Sequence, residues 1–277
     1  MIDGAVRIAV DIGGTFTDLQ ILAESTGDRF AHKTPTTAAD PSEGLMTGIK
    51  EASAQFQLSL SQVETLIHGT TIATNAVLED KLARGALITT AGFRDVLEIG
   101  RHVRTDIYAS RAETRRLLIP RARRFEAIER IRADGSVEQE LCATSVKSCI
   151  ANIEATGAEA IAICFLHAYT NPRHELEFAA AINAALPGIP VSLSHQISPE
   201  IREYERTSTT ALNALLMPVV SRYLARLEKR LEEEQFAPRV YLVQSNGGVC
   251  SPQVAREQPA RLLLSDPQPM RRSPRSR

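Results

Sequence analysis

Val10-Asp11-Ile12-Gly13-Gly14-Thr15-Phe16-Thr17-Asp18, following the largely apolar run Val6-Arg7-Ile8-Ala9, decides the reading of this chain. Apolar, β-branched residues in this order read as a buried strand. The strand ends in a carboxylate, two glycines, two hydroxyl residues around Phe16, and a second carboxylate. Gly13 and Gly14 carry no Cβ and are free to take positive φ, so backbone N–H groups can turn toward an anion at close range. Thr15 and Thr17 add hydroxyl donors, and Asp11 is placed to hold a hydrated cation such as Mg²⁺ beside the same phosphates. Leu19-Gln20-Ile21-Leu22 resumes the strand, which makes the phosphate turn the tip of a β-hairpin. Turns of the dinucleotide-binding or P-loop kind lead into a helix instead. An ordinary Gly-Gly hairpin is the plain alternative for this segment.

Outward from the hairpin, strands and helices alternate. Residues 29–34 form a further strand candidate. Asp40-Pro41-Ser42-Glu43 starts a helix, with Asp as cap, Pro at the first helical position and Glu at the third. Leu45, Ile49, Ala52 and Phe56 give that helix an apolar face. A short strand over 65–69 enters a turn, a helix is expected over 70–82, and a buried strand over 86–89. From 92 to about 138 the pattern is Arg-rich and is expected to leave the central sheet as a solvated excursion. Alternation returns with helix 144–155, strand 160–165, helix 172–186 and strand 190–193. Ser198-Pro199-Glu200 opens a helical stretch to about 234, which Pro218 is expected to kink or divide. The last strand, 240–243, ends in Ser245-Asn246-Gly247-Gly248. The fold class is α/β.

Size and charge exclude several classes. The 277 residues are 43% hydrophobic, enough to bury a sizeable core in one large domain or two smaller ones. A formal net charge of -1 gives no global field for nucleic acid or an anionic membrane, so neither is expected as a partner. Cys142, Cys149, Cys164 and Cys250 show no zinc spacing and are expected as buried reduced thiols. No signal-type stretch or long apolar run is present, and a cytoplasmic location is the expectation.

The ordered motifs resemble the hydantoinase A/5-oxoprolinase family, which includes subunits of ATP-dependent ketone carboxylases. They are Asp11 to Asp18, His68-Gly69-Thr70-Thr71-Ile72-Ala73-Thr74-Asn75-Ala76, Gly92-Phe93-Arg94-Asp95-Val96-Leu97-Glu98-Ile99-Gly100-Arg101, Leu193-Ser194-His195, Ser198 to Arg206, and Gln244-Ser245-Asn246-Gly247-Gly248. The resemblance implies an actin-like ATPase lobe of the ribonuclease H-like kind, with a mixed sheet and flanking helices. It implies ATP and Mg²⁺ as cofactors, a cyclic amide such as 5-oxoproline or a hydantoin as substrate, and a hydantoinase B-type partner subunit. Phosphorylation of the substrate oxygen would turn a poor electrophile into a better one, and phosphoryl transfer needs mostly positioning and charge neutralisation.

On that resemblance Asp11, Gly13, Gly14, Thr15, Thr17 and Asp18 become the nucleotide-binding set, with Asp11 also toward the metal. His68 is the catalytic candidate, as a donor to phosphate or to a developing oxyanion; a satisfied core histidine accounts for it equally well. Thr70, Thr71, Thr74 and Asn75 are candidates to line the cleft, as are Asn246, Gly247 and Gly248, for which a tight hairpin is the alternative. Glu203, Glu205 and Arg206 read most simply as a solvated face of ion pairs, with a place in the substrate cleft as the alternative that the resemblance implies, and His195 shares that ambiguity. His32, His102, His167 and His174 receive no role.

The sequence departs from the family pattern at Arg104-Thr105-Asp106, in residues 109–118, and after Ser265. There a Pro- and Arg-rich tail, 266–277, replaces the expected second phosphate loop and the other lobe. The tail is expected to be disordered and to mark an out-of-frame or truncated end. The expected division is an N-terminal domain at 6–190 and the start of a hydantoinase A core domain at 191–265. A ketone-carboxylase subunit and a non-catalytic, partner-binding remnant stand as alternatives to a cyclic-amide hydrolase.

Overall fold

The structure, a computed structural model, describes residues 4–37, 40–101, 108 and 117–263. Arg104-Thr105-Asp106, most of 109–118 and the tail 266–277 lie outside them. The chain divides into two compact units. Unit 1 comprises Met1–Lys81 with Val219–Arg277, and unit 2 comprises Leu82–Pro218.

Unit 1 opens with β1 (Val6–Ile12), β2 (Phe16–Ala23) and β3 (Arg29–Pro35), an antiparallel meander. Alternation along β1 and β2 sends Val6, Ile8, Val10 and Ile12, with Leu19 and Ile21, to one buried side. Helix α1 (Pro41–Phe56) contributes Leu45, Ile49 and Ala52 to the core. Asp40 caps this helix by accepting from Ser42 N, and Pro41 takes the first turn, as the sequence signals. β4 (Val63–Thr70) then runs parallel to β1. Helix α2 (Ile72–Leu78) is shorter than the expected 70–82. Asp80 takes the left-handed conformation at φ 61, and Lys81 N closes back on Ala76 O at 2.9 Å, which stops the helix.

Unit 2 follows with β5 (Gly85–Thr90), α3 (Val96–Ile99), β6 (Arg124–Ala127), β7 (Arg130–Ile131), β8 (Val137–Gln139) and α4 (Ala143–Thr156). Next come β9 (Ala160–Cys164), α5 (Arg173–Ala185), β10 (Val191–Leu193) and α6 (Ser194–Ile197). Its four-stranded sheet has the order β10-β9-β5-β6 and is parallel throughout, while β7 and β8 form a separate ribbon. β5 and β9 are buried on both faces, which explains their continuous apolar runs. Apart from the β7–β8 ribbon, the strands therefore belong to two sheets rather than one central sheet. The expected excursion over 92–138 is corrected in part, because β6 pairs with β5 inside the sheet. Arg124 in β6 is fully buried rather than solvated: Nε donates to Ile119 O at 2.8 Å and Nη1 to Glu98 at 3.1 Å.

Helix α7 (Glu203–Glu233) is continuous through Pro218, so the proline does not divide it. The two units nevertheless part at that residue. The chain then completes unit 1 with β11 (Arg239–Val243), β12 (Val249–Cys250) and α8 (Pro252–Glu257). β11 pairs parallel with β4, giving the mixed order β12-β11-β4-β1-β2-β3. This is the ribonuclease H-like arrangement that the resemblance implies. Because β4 and β11 share a sheet, the compact units do not follow the 190/191 division drawn from the sequence. Three of the four cysteines are buried, and Cys142 is half-buried. No helix among the described residues is long and apolar enough to cross a membrane.

Gly48 marks the closest approach of α1 to the sheet. A Cβ there would lie 2.8 Å from Leu19 Cδ1 and 2.9 Å from Thr34 Cγ2. Gly48→Ala gains up to about 1 kcal/mol of helix propensity but overpacks the interface by about 1–3 kcal/mol. We expect net destabilisation in urea unfolding of Gly48→Ala; a variant as stable as the parent would show that α1 can retreat from the sheet.

Candidate functional site

Three of the motif turns meet one edge of the unit 1 sheet. β1, β4 and β11 are adjacent and parallel, with Asp11 opposite Gly69, Ile12 opposite Thr70, and Leu242 opposite His68. Their C-terminal ends therefore release Gly13 to Thr15, Thr71 and Gln244 to Gly248 along the same rim. In α/β sheets this is the edge where ligands bind.

The hairpin tip is exposed and held from behind. Gly13 N donates to Phe16 O and Thr36 N to Thr15 O, both at 3.0 Å. Thr17 is fully buried and meets Thr36 Oγ1 at 3.0 Å, while Thr36 Oγ1 donates to Gly13 O. Gly14 and Thr15 are exposed, and their N–H groups make no hydrogen bond with a described residue. Two details differ from expectation. Gly13 uses its N–H inside the turn, and neither Gly13 nor Gly14 takes the left-handed conformation. Glycine is required at 13 for space, since a Cβ would sit 3.1 Å from Phe16 O, whereas Gly14 opens onto empty space. Asp11 is half-buried, and Asp18, opposite it in register, is exposed and pairs with Lys33 at 3.2 Å.

His68 is wholly buried, in the setting of the core alternative. Its Nε2 lies 2.5 Å from the Tyr223 hydroxyl, and Nδ1 completes no hydrogen bond. Burial lowers its pKa to about 4, only partly offset by the nearby Val10 backbone, so the ring is neutral near pH 7. Burial likewise raises the Tyr223 phenol. Thr70 is buried and its Oγ1 accepts from Ile72 N at 3.3 Å. Thr71 ties the two strand ends together, with Oγ1 donating to Ile12 O at 3.4 Å while accepting from Asn75 Nδ2 at 3.2 Å. Thr74 is half-buried and Asn75 exposed. Asn246, Gly247 and Gly248 form the tight turn between β11 and β12: Asn246 Oδ1 accepts from Gly248 N at 2.9 Å, and Gly247 has φ 80. The turn is exposed at the same rim as the hairpin tip.

Unit 2 holds a second set of polar groups. Arg206 is 1% exposed, which corrects the solvated-face expectation for this residue. Its Nη1 donates to Phe165 O at 2.7 Å and to Ser194 Oγ at 2.9 Å. Ser194 Oγ donates to Glu175, whose carboxylate also accepts from Phe165 N, His195 N and His195 Nδ1. Glu205, by contrast, pairs with Arg101 at 2.6 Å near the surface. His174 lies buried 2.7 Å from Glu129. Sequence reasoning assigned nothing to His174 and overlooked Glu175. The signal is their position: Phe178, Ala179 and Ile182 form the buried stripe of α5, and 174 and 175 fall on it one turn earlier.

Residues 7–186 match the family model for the hydantoinase/oxoprolinase N-terminal region, and residues 206–269 match that for hydantoinase/oxoprolinase. The chain belongs to the hydantoinase/oxoprolinase family. An uncharacterised protein of Methanocaldococcus jannaschii is 38% identical over 94% of this chain. Caprolactamase subunit alpha of Pseudomonas jessenii is 34% identical, and the crystal structure of that ATP-dependent caprolactamase superposes with a TM-score of 0.83 over 94% of this chain. Acetone carboxylase, in a nucleotide-free structure from work on ATP-dependent acetone carboxylation, gives a TM-score of 0.82 at 25% identity over the same share. This family member spans 38% of the length of each of these three relatives.

The His68 environment carries a pH signature. Its pKa falls from 6.5 in the unfolded chain to about 4 in the fold, so the unfolded chain binds the extra proton first. His68 therefore supports folding fully above pH 6.5, and that support is lost as pH falls toward 4, by up to about 3 kcal/mol. Urea unfolding between pH 7 and 4 should show a shallower decline in His68→Gln than in the parent; identical slopes would place the proton elsewhere.

Proposed function

We propose that this chain supplies one wall of a nucleotide phosphate site in an ATP-dependent enzyme that opens cyclic amides. The observation that carries this reading is the convergence of the Asp11–Asp18, His68–Ala76 and Gln244–Gly248 motifs on one rim, with the Gly14 and Thr15 amides exposed there. Those two amides would grip phosphate oxygens, as backbone nests do, and Thr15 would add its hydroxyl. No group of three or more His, Cys, Asp or Glu converges among the described residues. Asp11, half-buried at the end of β1 on this rim, would hold Mg²⁺ with waters and phosphate oxygens completing its shell. ATP would supply the phosphoryl group that activates the amide oxygen. His68, being buried and neutral, would act by holding the end of β4 in place rather than by touching substrate. A second subunit, of the hydantoinase B type, would complete the enzyme; the name caprolactamase subunit alpha supports a partner subunit in that relative.

A ketone-carboxylase subunit is the second reading, favoured by the nearly equal superposition on acetone carboxylase. Identity of 33% to the caprolactamase structure against 25% to acetone carboxylase supports the amide reading. Bicarbonate-dependent ATP turnover by the assembled enzyme would select the carboxylase.

Gly14 provides the test, because a side chain there meets nothing within 4 Å yet projects where the anion would sit. Gly14→Leu should leave stability within about 0.5 kcal/mol of the parent. In ³¹P NMR titrations the parent chain should broaden the Mg-ATP signals, weakly, since one wall cannot enclose the nucleotide. Gly14→Leu should abolish that broadening, and Asp11→Asn should remove its dependence on Mg²⁺. Equal broadening by the parent and Gly14→Leu would end the phosphate reading.

A further inference from the structure

His195 follows Ser194 in α6, directly after the C-terminal end of β10, which runs parallel to β9. Ligands approach α/β sheets from this edge. The phosphate rim does not use this residue. The described histidines differ in what their ring nitrogens meet. His32 engages both, with Gln55 at 2.9 Å and Glu51 at 3.0 Å. His68 and His174 are sealed in the interior. His167 places Nδ1 2.9 Å from the Tyr169 hydroxyl. Among the described histidines, His195 alone sets one nitrogen against a fully buried carboxylate while keeping 15% of its side chain in solvent.

That carboxylate is Glu175, and donors surround it. Oε1 accepts from Phe165 N at 3.0 Å and from the Ser194 hydroxyl. Oε2 accepts from His195 N at 3.1 Å and faces His195 Nδ1 at 2.7 Å. The Ser194 hydroxyl is free to give its proton to Glu175, because its oxygen already accepts from Arg206 Nη1. An anion so placed makes Nδ1 the N–H nitrogen and leaves the lone pair on Nε2. Nε2 makes no hydrogen bond with a described residue. The imidazole is thus held in one tautomer, with a buried anion behind it to meet the positive charge that the ring gains when Nε2 forms a bond. A metal would call for further ligands, and no group of three or more His, Cys, Asp or Glu converges among the described residues. A phosphoryl group suits the arrangement, because its transfer asks for a positioned nucleophile and charge neutralisation.

We propose that His195 Nε2 is a phosphoryl acceptor, with Glu175 as its positioning residue. The Nε2 lone pair forms the N–P bond, the bond from phosphorus to the leaving group breaks, and the leaving group keeps that electron pair. The Nδ1 proton stays on the ring, directed at Glu175, so no base is needed. The donor is a small activated phosphate of the phosphoramidate or acyl phosphate type. The assignment rests neither on the Gly14 turn nor on the amide reading.

Phosphoramidate and the folded 277-residue chain test it at mildly alkaline pH. The donor's own N–P bond breaks, and ammonia departs with protons that the zwitterionic donor already carries. Peptide mapping under alkaline conditions, where phosphohistidine survives, should show His195 labelled about tenfold faster than His167. ³¹P NMR should show only the Nε2 isomer on His195, because Glu175 occupies Nδ1; an unconstrained imidazole accepts at either nitrogen. Unfolding in urea should remove the advantage, so that all six histidines label alike. Glu175→Gln, verified as folded by circular dichroism, should slow His195 about tenfold and admit the Nδ1 isomer. If that variant does not fold, the comparison within the parent decides. No label on His195, a rate no greater than that of His167, or the Nδ1 isomer on His195 of the folded parent would each overturn the proposal.

Discussion

The parallel pairing of β11 with β4 is the constraint on which unit 1 depends. A parallel neighbour can be reached only by a crossover, and here the crossover contains all of unit 2 and all of α7. Closure entropy rises only logarithmically with the length of chain between the partners, so a long insertion is tolerable if the final contacts are good. They are good here: Leu66, Leu242 and Val243 are buried in these two strands, and Tyr223 reaches His68 from the returning helix. Without β11, β4 would be an exposed edge. With it, three strand ends and their turns share a rim.

Both units bury polar groups close to the ends of their parallel strands. In unit 1 the pair is neutral, since burial keeps His68 unprotonated and Tyr223 protonated. In unit 2 the groups are Arg206 and Glu175, joined through Ser194 and sealed by backbone groups of Phe165. Such networks fix geometry only when nearly every donor is satisfied, and the few exceptions carry the information. The near-equal superposition on an amide-directed and a ketone-directed relative shows why: the fold is shared, and the chemistry rests on particular side chains.

Local signals were legible in the sequence. The Asp11–Asp18 hairpin, the Asp40-Pro41 helix start and the turn after β11 each follow from residues within a few positions of one another. The distribution of strands over two sheets was not legible, because β4–β11 and β5–β6 pairings join distant segments. Charge misled where burial was compensated at long range. Arg124 and Arg206 read as solvent-facing, yet backbone carbonyls at Ile119 and Phe165 receive them in the interior. The length of α2 was overestimated because nothing in Thr70 to Leu82 announces the left-handed turn at Asp80. Pro218 signals a kink or a division, and α7 is not divided there; a long helix can forgo one hydrogen bond.

Ala83 N donates to Leu215 O at 3.2 Å, so the first and last turns of chain in unit 2 are stitched to each other. Gly85 has no side chain where Leu215 Cδ2 presses closest, 2.3 Å from the position of a Cβ. A segment that begins and ends at one spot behaves as a cassette: it can be acquired, exchanged or elaborated without rethreading its host. Evolution thus has a route to vary the inserted half while the ribonuclease H-like sheet around β1 keeps its register.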